Sequence, residues 1–464
     1  MMDRDQELGR VVVLGGSVAG LAAAAALAPK AREVLVLERH ALPDQPTERS
    51  SVSPQGTAPH LLLAGGAAAL ERLLPGYTAD LVAHGAVGSD TEPFPCHWWA
   101  AGGVRRTSPS LGVVAPFCTR VLVESRLRAR VQRLANVALA GGIVVRGLRV
   151  VDGRVVAVEA EEHGAPRLVE ADLVIDASGR GSRTGRWLAE ACGAPEPDVS
   201  RVEVDVTYTA VFLRRHPSDV GGGRFAVVQN GPSLTRIGVA LAAEDDRWQV
   251  VLGGYFGDSA PTDRAGLLDF ARSLPDPVVA ELLENEWLTE PALHRFPSSQ
   301  RRRWERVRRP VAGFCAIGDA FASFNPLYGQ GMSAAVLQAE ALGAAVDRVG
   351  NTRRLPREAH RAIARVVENP WRIATGADFA YAQTRGAKPP GTDLVNRYME
   401  RVLLATSRDE RVNLAFLRVQ QLLAPPTTLF HPALMARVLR ATRVSDVPAA
   451  APRGTSSAGS GARR

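Results

Sequence analysis

The sequence predicts an α/β fold in which a parallel sheet flanked by helices is interleaved with a mostly antiparallel sheet and followed by a helical segment. Three observations predict this fold. A strand–turn–helix–strand unit occupies residues 10–37, polar and apolar side chains alternate along residues 201–296, and helical patterns fill residues 354–440. Because these patterns follow one another along 464 residues, we expect two interconnected domains and a helical appendage.

The opening unit starts with a continuous apolar run at residues 10–15, typical of a strand buried on both faces of a parallel sheet. Alanine-rich residues 17–27 predict a helix that ends before Pro29. Residues 34–37 predict a second buried strand, which completes the unit.

The turn of this unit reads Gly-Gly-Ser-Val-Ala-Gly over residues 15–20, with Ser17 at the second glycine of a G-x-G-x-x-G motif. Gly15 permits a tight turn, the small Ser17 lets the backbone approach a pyrophosphate, and Gly20 lets helix and strand pack closely. Glu38 ends the second strand, where a carboxylate accepts hydrogen bonds from ribose hydroxyls. The pattern indicates a Rossmann-type dinucleotide-binding domain; the alternative is a glycine turn in another kind of α/β protein.

The remaining elements define the expected domain organisation. Strand-like runs at 143–151, 155–161 and 168–175 follow an amphipathic helix at 121–134, and a buried strand at 311–317 precedes a long helix at 330–349. We therefore expect a dinucleotide-binding domain at 1–200 with inserted strands, a second domain at 201–300, a return to the first domain at 301–350, a helical region at 351–445 and a disordered tail at 446–464.

Composition and charge exclude several classes of protein. The net charge of +8 comes almost entirely from scattered arginines, and the basic stretch 301–309 is interpreted as a solvated connection rather than a nucleic-acid patch. The four cysteines have no metal-ligand or disulfide spacing, which fits a reducing, cytoplasmic location and no metal. Neither a signal peptide nor an uncharged run of membrane-spanning length is present, so we expect a soluble protein.

Two further motifs lie downstream. In residues 172–183 a buried strand runs into small residues and two arginines, a pattern that an ordinary strand–helix junction also explains. In residues 318–332 a strand ends at Asp319, a loop crosses Pro326, and Gly329-Gln330-Gly331 opens a long helix. Asp319 is placed to accept a hydrogen bond from a ribityl hydroxyl, and the helix N-terminus faces the pyrimidine end of an isoalloxazine.

With these three motifs in this order, the chain resembles the FAD-dependent monooxygenases of the aromatic-hydroxylase type. Within them it is most similar to the squalene-epoxidase-like branch that includes bacterial polyether-ionophore epoxidases. The branch features are residues 15–20, Glu38-Arg39, 49–63, 70–76, 325–332 and Asn369-Pro370-Trp371, so the likeness runs from about residue 10 to 440. The branch often reads Pro-Gln-x-x-His-x-His, whereas residues 54–60 keep only the later histidine, His60, which either lies near the flavin or packs before a helix.

The resemblance implies a Rossmann-type FAD-binding domain and a set of cofactor contacts, with no catalytic residue assigned beyond the flavin. The cofactor-binding residues it implies are Gly15, Ser17, Val18, Ala19, Gly20, Glu38, Arg39, Arg49, Gln55, Arg120, Asp319, Pro326, Gly329, Gly331 and Met332. Aromatic side chains at strand spacing are expected to line the substrate pocket, although such residues also build cores: Tyr208, Phe212, Phe225, Tyr255 and Phe324.

The reaction implied is oxygen transfer from a C4a-hydroperoxyflavin, with NAD(P)H and O2 as co-substrates, to a small apolar polyene, polyketide or terpenoid intermediate. Epoxidation needs no dedicated base, whereas phenol hydroxylation benefits from one. No convincing base stands on the predicted substrate sheet, although Tyr208 and His294 stay open, so epoxidation is favoured over aromatic hydroxylation.

Other classes remain as alternatives. A flavin-dependent prenyl reductase would carry similar motifs, and a non-enzymatic arginine-rich binding protein would bind no flavin. Trp98-Trp99 does not match the Trp-x-Trp-x-Ile motif of flavin halogenases. The amphipathic C-terminal helices at 412–423 and 434–439 either cap the substrate domain or rest on a membrane surface.

Overall fold

The computed structural model describes residues 8–43, 58–88, 92–229, 231 and 234–442. The strands are β1 (Leu8–Leu14), β2 (Ala31–Leu37), β3 (Phe94–Ala100), β4 (Gly103–Ser108), β5 (Val137–Ala140), β6 (Ile143–Val151), β7 (Arg154–Glu162), β8 (Ala165–Glu170), β9 (Leu173–Asp176), β10 (Val199–Arg214), β11 (Phe225–Val228), β12 (Ile237–Ala243), β13 (Arg247–Tyr255), β14 (Ala292–Arg302), β15 (Phe314–Ala316), β16 (Ala322–Ser323) and β17 (Arg385–Gly386). The helices are α1 (Val18–Leu27), α2 (Ala64–Leu73), α3 (Tyr77–Ala83), α4 (Arg120–Gln132), α5 (Thr184–Cys192), α6 (Arg264–Arg272), α7 (Val278–Leu282), α8 (Gly331–Val349), α9 (Leu355–Asp378), α10 (Thr392–Thr406), α11 (Glu410–Gln420) and α12 (Pro432–Ala441).

The parallel sheet has the order β15-β9-β1-β2-β5, and every pair in it is parallel. Its central strand is buried on both faces: Val11, Val12 and Val13 are all fully buried. Helix α1 is buried on almost every side between this sheet and α4 and α8, which explains its uniformly apolar, alanine-rich sequence. The predicted strand–turn–helix–strand unit is confirmed.

The large sheet has the order β16-β14-β10-β13-β12-β11-β3-β4, with β17 paired to β10. Its pairs are antiparallel except β11 with β3, so the predicted mostly antiparallel second sheet is confirmed. The sheet extends beyond the predicted bounds of 201–300, because β3 and β4 join it from the first part of the chain. That pairing joins residues about 130 positions apart, so no local sequence pattern reveals it.

The inserted strands form a separate three-stranded antiparallel sheet of β6, β7 and β8. A tight turn at Asp152-Gly153 joins β6 to β7, and both of these residues have positive φ angles, 49° and 71°. The prediction of a single strand at 168–175 is wrong. The chain turns at residues 171–172, so that β8 pairs with β7 while β9 enters the parallel sheet beside β1.

The helical region covers one end of the large sheet. Val412, Phe416 and Leu417 of α11 are buried in the core that this sheet shares with α6 and α7. This packing agrees with the capping role expected for the first of the two C-terminal segments. Among the helices that the structure describes, none is both long and apolar enough to cross a membrane.

A buried histidine links α9 to the parallel sheet. His360 is 1% exposed, its Nε2 accepts a hydrogen bond from the backbone N–H of Ala316 (3.0 Å), and its ring stacks on Trp304. Burial lowers the pKa of His360 from 6.5 to about 3. Between these values the unfolded chain binds a proton that the folded chain does not, so the free energy of unfolding falls as pH decreases below about 6.5.

We therefore expect His360→Gln to flatten the acid dependence of stability. Each pH unit below 6.5 removes up to about 1.4 kcal/mol from the wild type through this group, and the variant lacks that loss. Urea denaturation at pH 7.5 and pH 5.5 measures the difference, with His216→Gln, at an exposed loop position, as the control. An identical pH dependence in the wild type and in His360→Gln would contradict the assignment.

Candidate functional site

One cavity of about 680 Å³ lies between the parallel sheet and the large sheet. Gly15, Glu38, Ala177 and Asp319 of its lining follow the carboxyl ends of β1, β2, β9 and β15. The opposite wall is formed by side chains of β10 to β13, among them Tyr208, Phe225, Val227, Val239 and Val251. Ligands of open parallel sheets bind beyond the carboxyl ends of the strands, which is where this cavity lies.

The glycine turn after β1 has the tight geometry that its sequence predicts. Gly15 has a φ of 108°, and a Cβ added there would lie 2.6 Å from the carbonyl oxygen of Ala177. A Cβ on Gly20 would lie only 1.8 Å from the carbonyl oxygen of Gly15. Gly20 therefore sets the packing of α1 on β1 and is not itself part of the cavity lining.

Glu38 is buried at the end of β2, and its carboxylate closes the glycine turn. Its Oε2 accepts a hydrogen bond from the N–H of Gly16 (2.8 Å), and its Oε1 accepts one from the N–H of His40 (3.1 Å). Both Glu38 and Arg39 line the cavity. The carboxylate thus lies beside the turn, as a ribose-binding residue must.

Arg120 opens α4 and connects the glycine turn to His60. Its Nη2 donates to Ser17 Oγ (2.9 Å), and its Nη1 lies 3.5 Å from His60 Nε2. The His60 Nδ1 lies 2.7 Å from the carbonyl oxygen of Ala58 and therefore carries the hydrogen, so its Nε2 is an acceptor. Burial and the nearby Arg120 lower the pKa of His60 to about 3, which keeps the imidazole neutral. His60 both lines the cavity and precedes α2, so the two interpretations of this residue are compatible.

Asp319 follows β15 and faces a cluster of arginines. Burial raises the pKa of its carboxyl group, while Arg120, Arg180 and Arg302 act in the opposite direction. Arg180, from the second motif, is held by Ser298 and Ser323, and its guanidinium lies over the ring of Phe296. Residues 172–183 therefore contribute to the site as well as forming a strand–helix junction.

The loop before α8 presents polar groups to the cavity. Asn325 Oδ1 accepts a hydrogen bond from the N–H of Leu327 (3.1 Å), and Gly329 has a positive φ of 65°. Gln330 is 1% exposed and lines the cavity, yet neither its Oε1 nor its Nε2 has a hydrogen-bond partner among the described residues. A buried amide without partners is costly, and a bound polar heterocycle would satisfy it.

The half of the cavity formed by the large sheet is apolar and aromatic. Phe94, Phe117 and Phe225 contact one another with ring centroids 6.0–6.2 Å apart. Trp98 Nε1 donates to Gln229 Oε1 (3.0 Å), which leaves an apolar ring face on the wall. These aromatic side chains dominate the wall opposite the glycine turn.

Two titratable side chains on this wall form a stacked pair. The ring centroids of Tyr208 and His294 are 5.1 Å apart. Burial raises the pKa of Tyr208 to about 12 and lowers the pKa of His294, so both side chains are neutral at pH 7. Neutral Tyr208 is a poor base, and the lowered pKa of His294 makes its neutral imidazole a weaker base than an ordinary histidine.

Most of the predicted site residues lie in this one cavity. Those that line it are Gly15, Ser17, Val18, Ala19, Glu38, Arg39, Arg120, Asp319, Pro326, Gly329, Gly331 and Met332, together with Tyr208, Phe225 and Phe324. Arg49 and Gln55 lie outside the described residues, as does the tail at 446–464.

The prediction that Phe212 and Tyr255 line the substrate pocket is wrong, because neither residue lines the cavity. Phe212 is four residues beyond Tyr208 on β10, roughly 13 Å along the strand, where its ring faces Arg247 at 5.6 Å. Tyr255 stacks on Tyr381 with ring centroids 4.8 Å apart, and its hydroxyl accepts a hydrogen bond from Asn325 Nδ2 (3.0 Å). It supports the loop before α8 from behind.

Two features of the cavity were not predicted from the sequence. They are the aromatic side chains that β3 contributes and the hydrogen bond between Tyr328 and Asp378. The alternation of Phe94, Cys96 and Trp98 is a strand signal, but nothing local assigns the strand to this sheet. Tyr328 lines the cavity and is hydrogen-bonded to Asp378, 50 residues further along the chain. Among the described residues, no three His, Cys, Asp or Glu side chains are grouped as metal ligands.

Comparison with known proteins gives one curated relative and many solved structures. No family model matches the chain. Protein Rv3254 of Mycobacterium tuberculosis (strain ATCC 25618 / H37Rv) is 33% identical over 391 residues, which are 80% of this chain and 80% of that protein.

The solved structures share the fold at low sequence identity. PqsL, a probable FAD-dependent monooxygenase from Pseudomonas aeruginosa, has a TM-score of 0.60 at 17% identity, covering 80% of this chain and 97% of its own. The tetrameric form of 2-methyl-3-hydroxypyridine-5-carboxylic acid oxygenase has a TM-score of 0.60 at 17% identity, covering 89% and 97%. The flavin-dependent brominase Bmp2 has a TM-score of 0.60 at 14% identity, covering 89% and 93%. The chain therefore has the fold of FAD-dependent monooxygenases.

Proposed function

The chain belongs to the same family as protein Rv3254, and we propose that it is an FAD-dependent monooxygenase that transfers oxygen to an apolar, unsaturated substrate. One observation carries the proposal. A single cavity joins a polar half, built from the three dinucleotide and flavin motifs, to an apolar aromatic half. A cofactor and an apolar substrate would therefore meet inside one cavity.

The residues of the polar half fit FAD. Glu38 and Arg39 would hold the adenosine ribose, the N–H groups at the start of α1 the pyrophosphate, and Asp319 the ribityl chain. The partnerless Gln330 and the N-terminus of α8 would hold the polar edge of the flavin ring. When bound, the flavin takes electrons from NAD(P)H and makes O2 reactive towards an electron-rich carbon.

The residues of the apolar half position the substrate and exclude water. The wall around Phe94, Phe117, Phe225 and Trp98 offers surface for an unsaturated or aromatic skeleton. The neutral His60 and the neutral Tyr208–His294 pair add no charge near it. Such surroundings suit a reaction in which water would divert the oxidant.

Epoxidation of an alkene and hydroxylation of an aromatic ring are the two reactions considered. Epoxidation is supported by the uncharged side chains that β3 and β10 to β13 present to the cavity, because an alkene needs placement and no base. Aromatic hydroxylation is favoured by a different observation: Tyr328 lines the cavity, and its hydroxyl is hydrogen-bonded to the carboxyl group of Asp378. The sequence-based preference for epoxidation depended on finding no base on the substrate sheet, and this pair lies outside that sheet.

The test is NAD(P)H-dependent turnover under ¹⁸O2 with a panel of polyenes and phenols, on flavin-containing protein. We expect one ¹⁸O atom in the organic product, in an epoxide or in a new phenolic hydroxyl according to the reaction. A reduced product without label would overturn the monooxygenase proposal and leave a flavin-dependent reductase. Purified protein that binds no FAD would favour the hypothesis of a non-enzymatic, arginine-rich binding protein.

A further inference from the structure

A buried carboxyl group lies directly behind the loop that carries Tyr328 into the cavity. Asp378, the last residue of α9, is fully buried. Its Oδ1 accepts hydrogen bonds from Asn325 Nδ2 (2.9 Å), the Tyr328 hydroxyl (3.1 Å) and, at 3.5 Å, the Tyr255 hydroxyl. Its Oδ2 is buried and has no hydrogen-bond partner in the part of the chain that the structure describes. The hydrogen bonds that stabilise the carboxylate are therefore all made to one of its two oxygens.

Within the described part of the chain, this carboxyl group has no positively charged partner. The titratable side chains that face the cluster are Tyr255 from β13, Tyr328 from the loop and Tyr381 from the segment after α9. In the described ranges no arginine, lysine or histidine contributes to its ionisation. Burial raises the pKa of Asp378 to about 7, although the three donors favour the charged form. The group therefore exchanges a proton in the neutral pH range.

Tyr328 lines the cavity, and its hydroxyl, which donates to Asp378, also lies 3.5 Å from the Tyr255 hydroxyl. A phenolic hydroxyl has one hydrogen to donate and two lone pairs that accept. When Asp378 is ionised, Tyr328 donates its hydrogen to Oδ1, and its oxygen keeps only lone pairs that accept. When Oδ1 carries a proton, it can donate to Tyr328, and the tyrosine hydrogen is then free to turn towards the cavity. The charge state of Asp378 thus sets whether Tyr328 accepts or donates there.

We propose that Asp378 is the terminal acceptor of a proton relay that Tyr328 opens to the cavity. A ligand hydroxyl bound against Tyr328 gives its proton to the tyrosine oxygen, while the tyrosine O–H bond breaks and its proton moves to Asp378 Oδ1. The ligand becomes an oxyanion, the carboxylate becomes a neutral acid, Tyr328 stays neutral, and total charge is conserved. The relay rests on the proposed function for its natural ligand and supplies the base that hydroxylation of a phenol requires.

The protonation of Asp378 is measured directly by infrared difference spectroscopy of the purified full-length chain across pH 5 to 9. We expect a carboxylic-acid C=O band that disappears with a midpoint near neutral pH and is absent from Asp378→Asn. Tyr328→Phe removes one donor to the carboxylate and should raise that midpoint by about one pH unit. Tyr381→Phe is the matched control, because the Tyr381 hydroxyl donates to the Leu234 carbonyl (3.1 Å), and it should leave the midpoint unchanged.

Proton transfer from the cavity is measured with 4-nitrophenol, whose phenolate is yellow. In the wild type and in Tyr381→Phe, the bound dye should show about a tenfold higher ratio of phenolate to phenol than in Asp378→Asn or Tyr328→Phe at the same pH. A C=O band that persists in Asp378→Asn, or equal dye ionisation in all four proteins, would overturn the relay. Neither readout needs turnover, so a failed ¹⁸O experiment and a failed relay are distinguishable.

Discussion

Gly20→Ala is expected to prevent the chain from reaching its native fold at normal stability. The added methyl carbon would lie 1.8 Å from the Gly15 carbonyl oxygen and 3.3 Å from the Val13 side chain. The close neighbour is backbone, so it cannot rotate away, and α1 must move off β1 or the turn must open. Displacement of a helix that is buried on almost every side should cost at least about 4 kcal/mol.

The measurement is chemical denaturation of the purified variant, with the soluble fraction on expression as a second readout. Gly181→Ala is the matched control, since a Cβ at Gly181 meets nothing within 4 Å and its φ is not positive. We expect Gly181→Ala to unfold at the wild-type denaturant concentration. A Gly20→Ala protein with wild-type stability would show that α1 does not pack on β1 as described.

The polar half of the cavity was predictable because its signals are local. Gly15, Ser17 and Gly20 belong to one turn, and Glu38 follows the next strand, so short-range spacing carries the geometry. Asp319 shortly follows β15 and Gly331 is the first residue of α8, so the two residues lie near the ends of one connection between recognisable elements. In each case the physical requirement, a close backbone approach or a free helix N-terminus, is met by residues less than about thirty positions apart.

The apolar half of the cavity was only partly predictable because side-chain alternation gives the face of a strand and not the position along it. Tyr208 and Phe212 share a face of β10, but only Tyr208 reaches the cavity. Phe94 and Trp98 reach it through the parallel pairing of β3 with β11, which is a long-range contact. The Tyr328–Asp378 hydrogen bond likewise joins two elements that the sequence shows as unrelated.

Gly331→Val is expected to weaken FAD binding by about 100-fold, equivalent to roughly 3 kcal/mol, without lowering the stability of the apoprotein. Gly331 is the first residue of α8 and lines the cavity. A Cβ built on it meets no protein atom within 4 Å, so the protein itself has room for a side chain there. The space that the side chain would enter is the space assigned to the flavin ring. Titration of apoprotein with FAD, followed by the visible spectrum, gives the dissociation constant.

The control for this prediction is Gly376→Val in α9. A Cβ at Gly376 also meets nothing within 4 Å, and Gly376 does not line the cavity, so the same side chain is added in a helix away from the cofactor. Gly376→Val should bind FAD like the wild type, and both variants should unfold at the wild-type denaturant concentration. Together with Gly20→Ala, the pair separates two uses of glycine in one fold, close packing of α1 on β1 and space for a cofactor. Wild-type FAD affinity in Gly331→Val would contradict placement of the flavin at the N-terminus of α8, because a valine side chain cannot share that space with an aromatic ring.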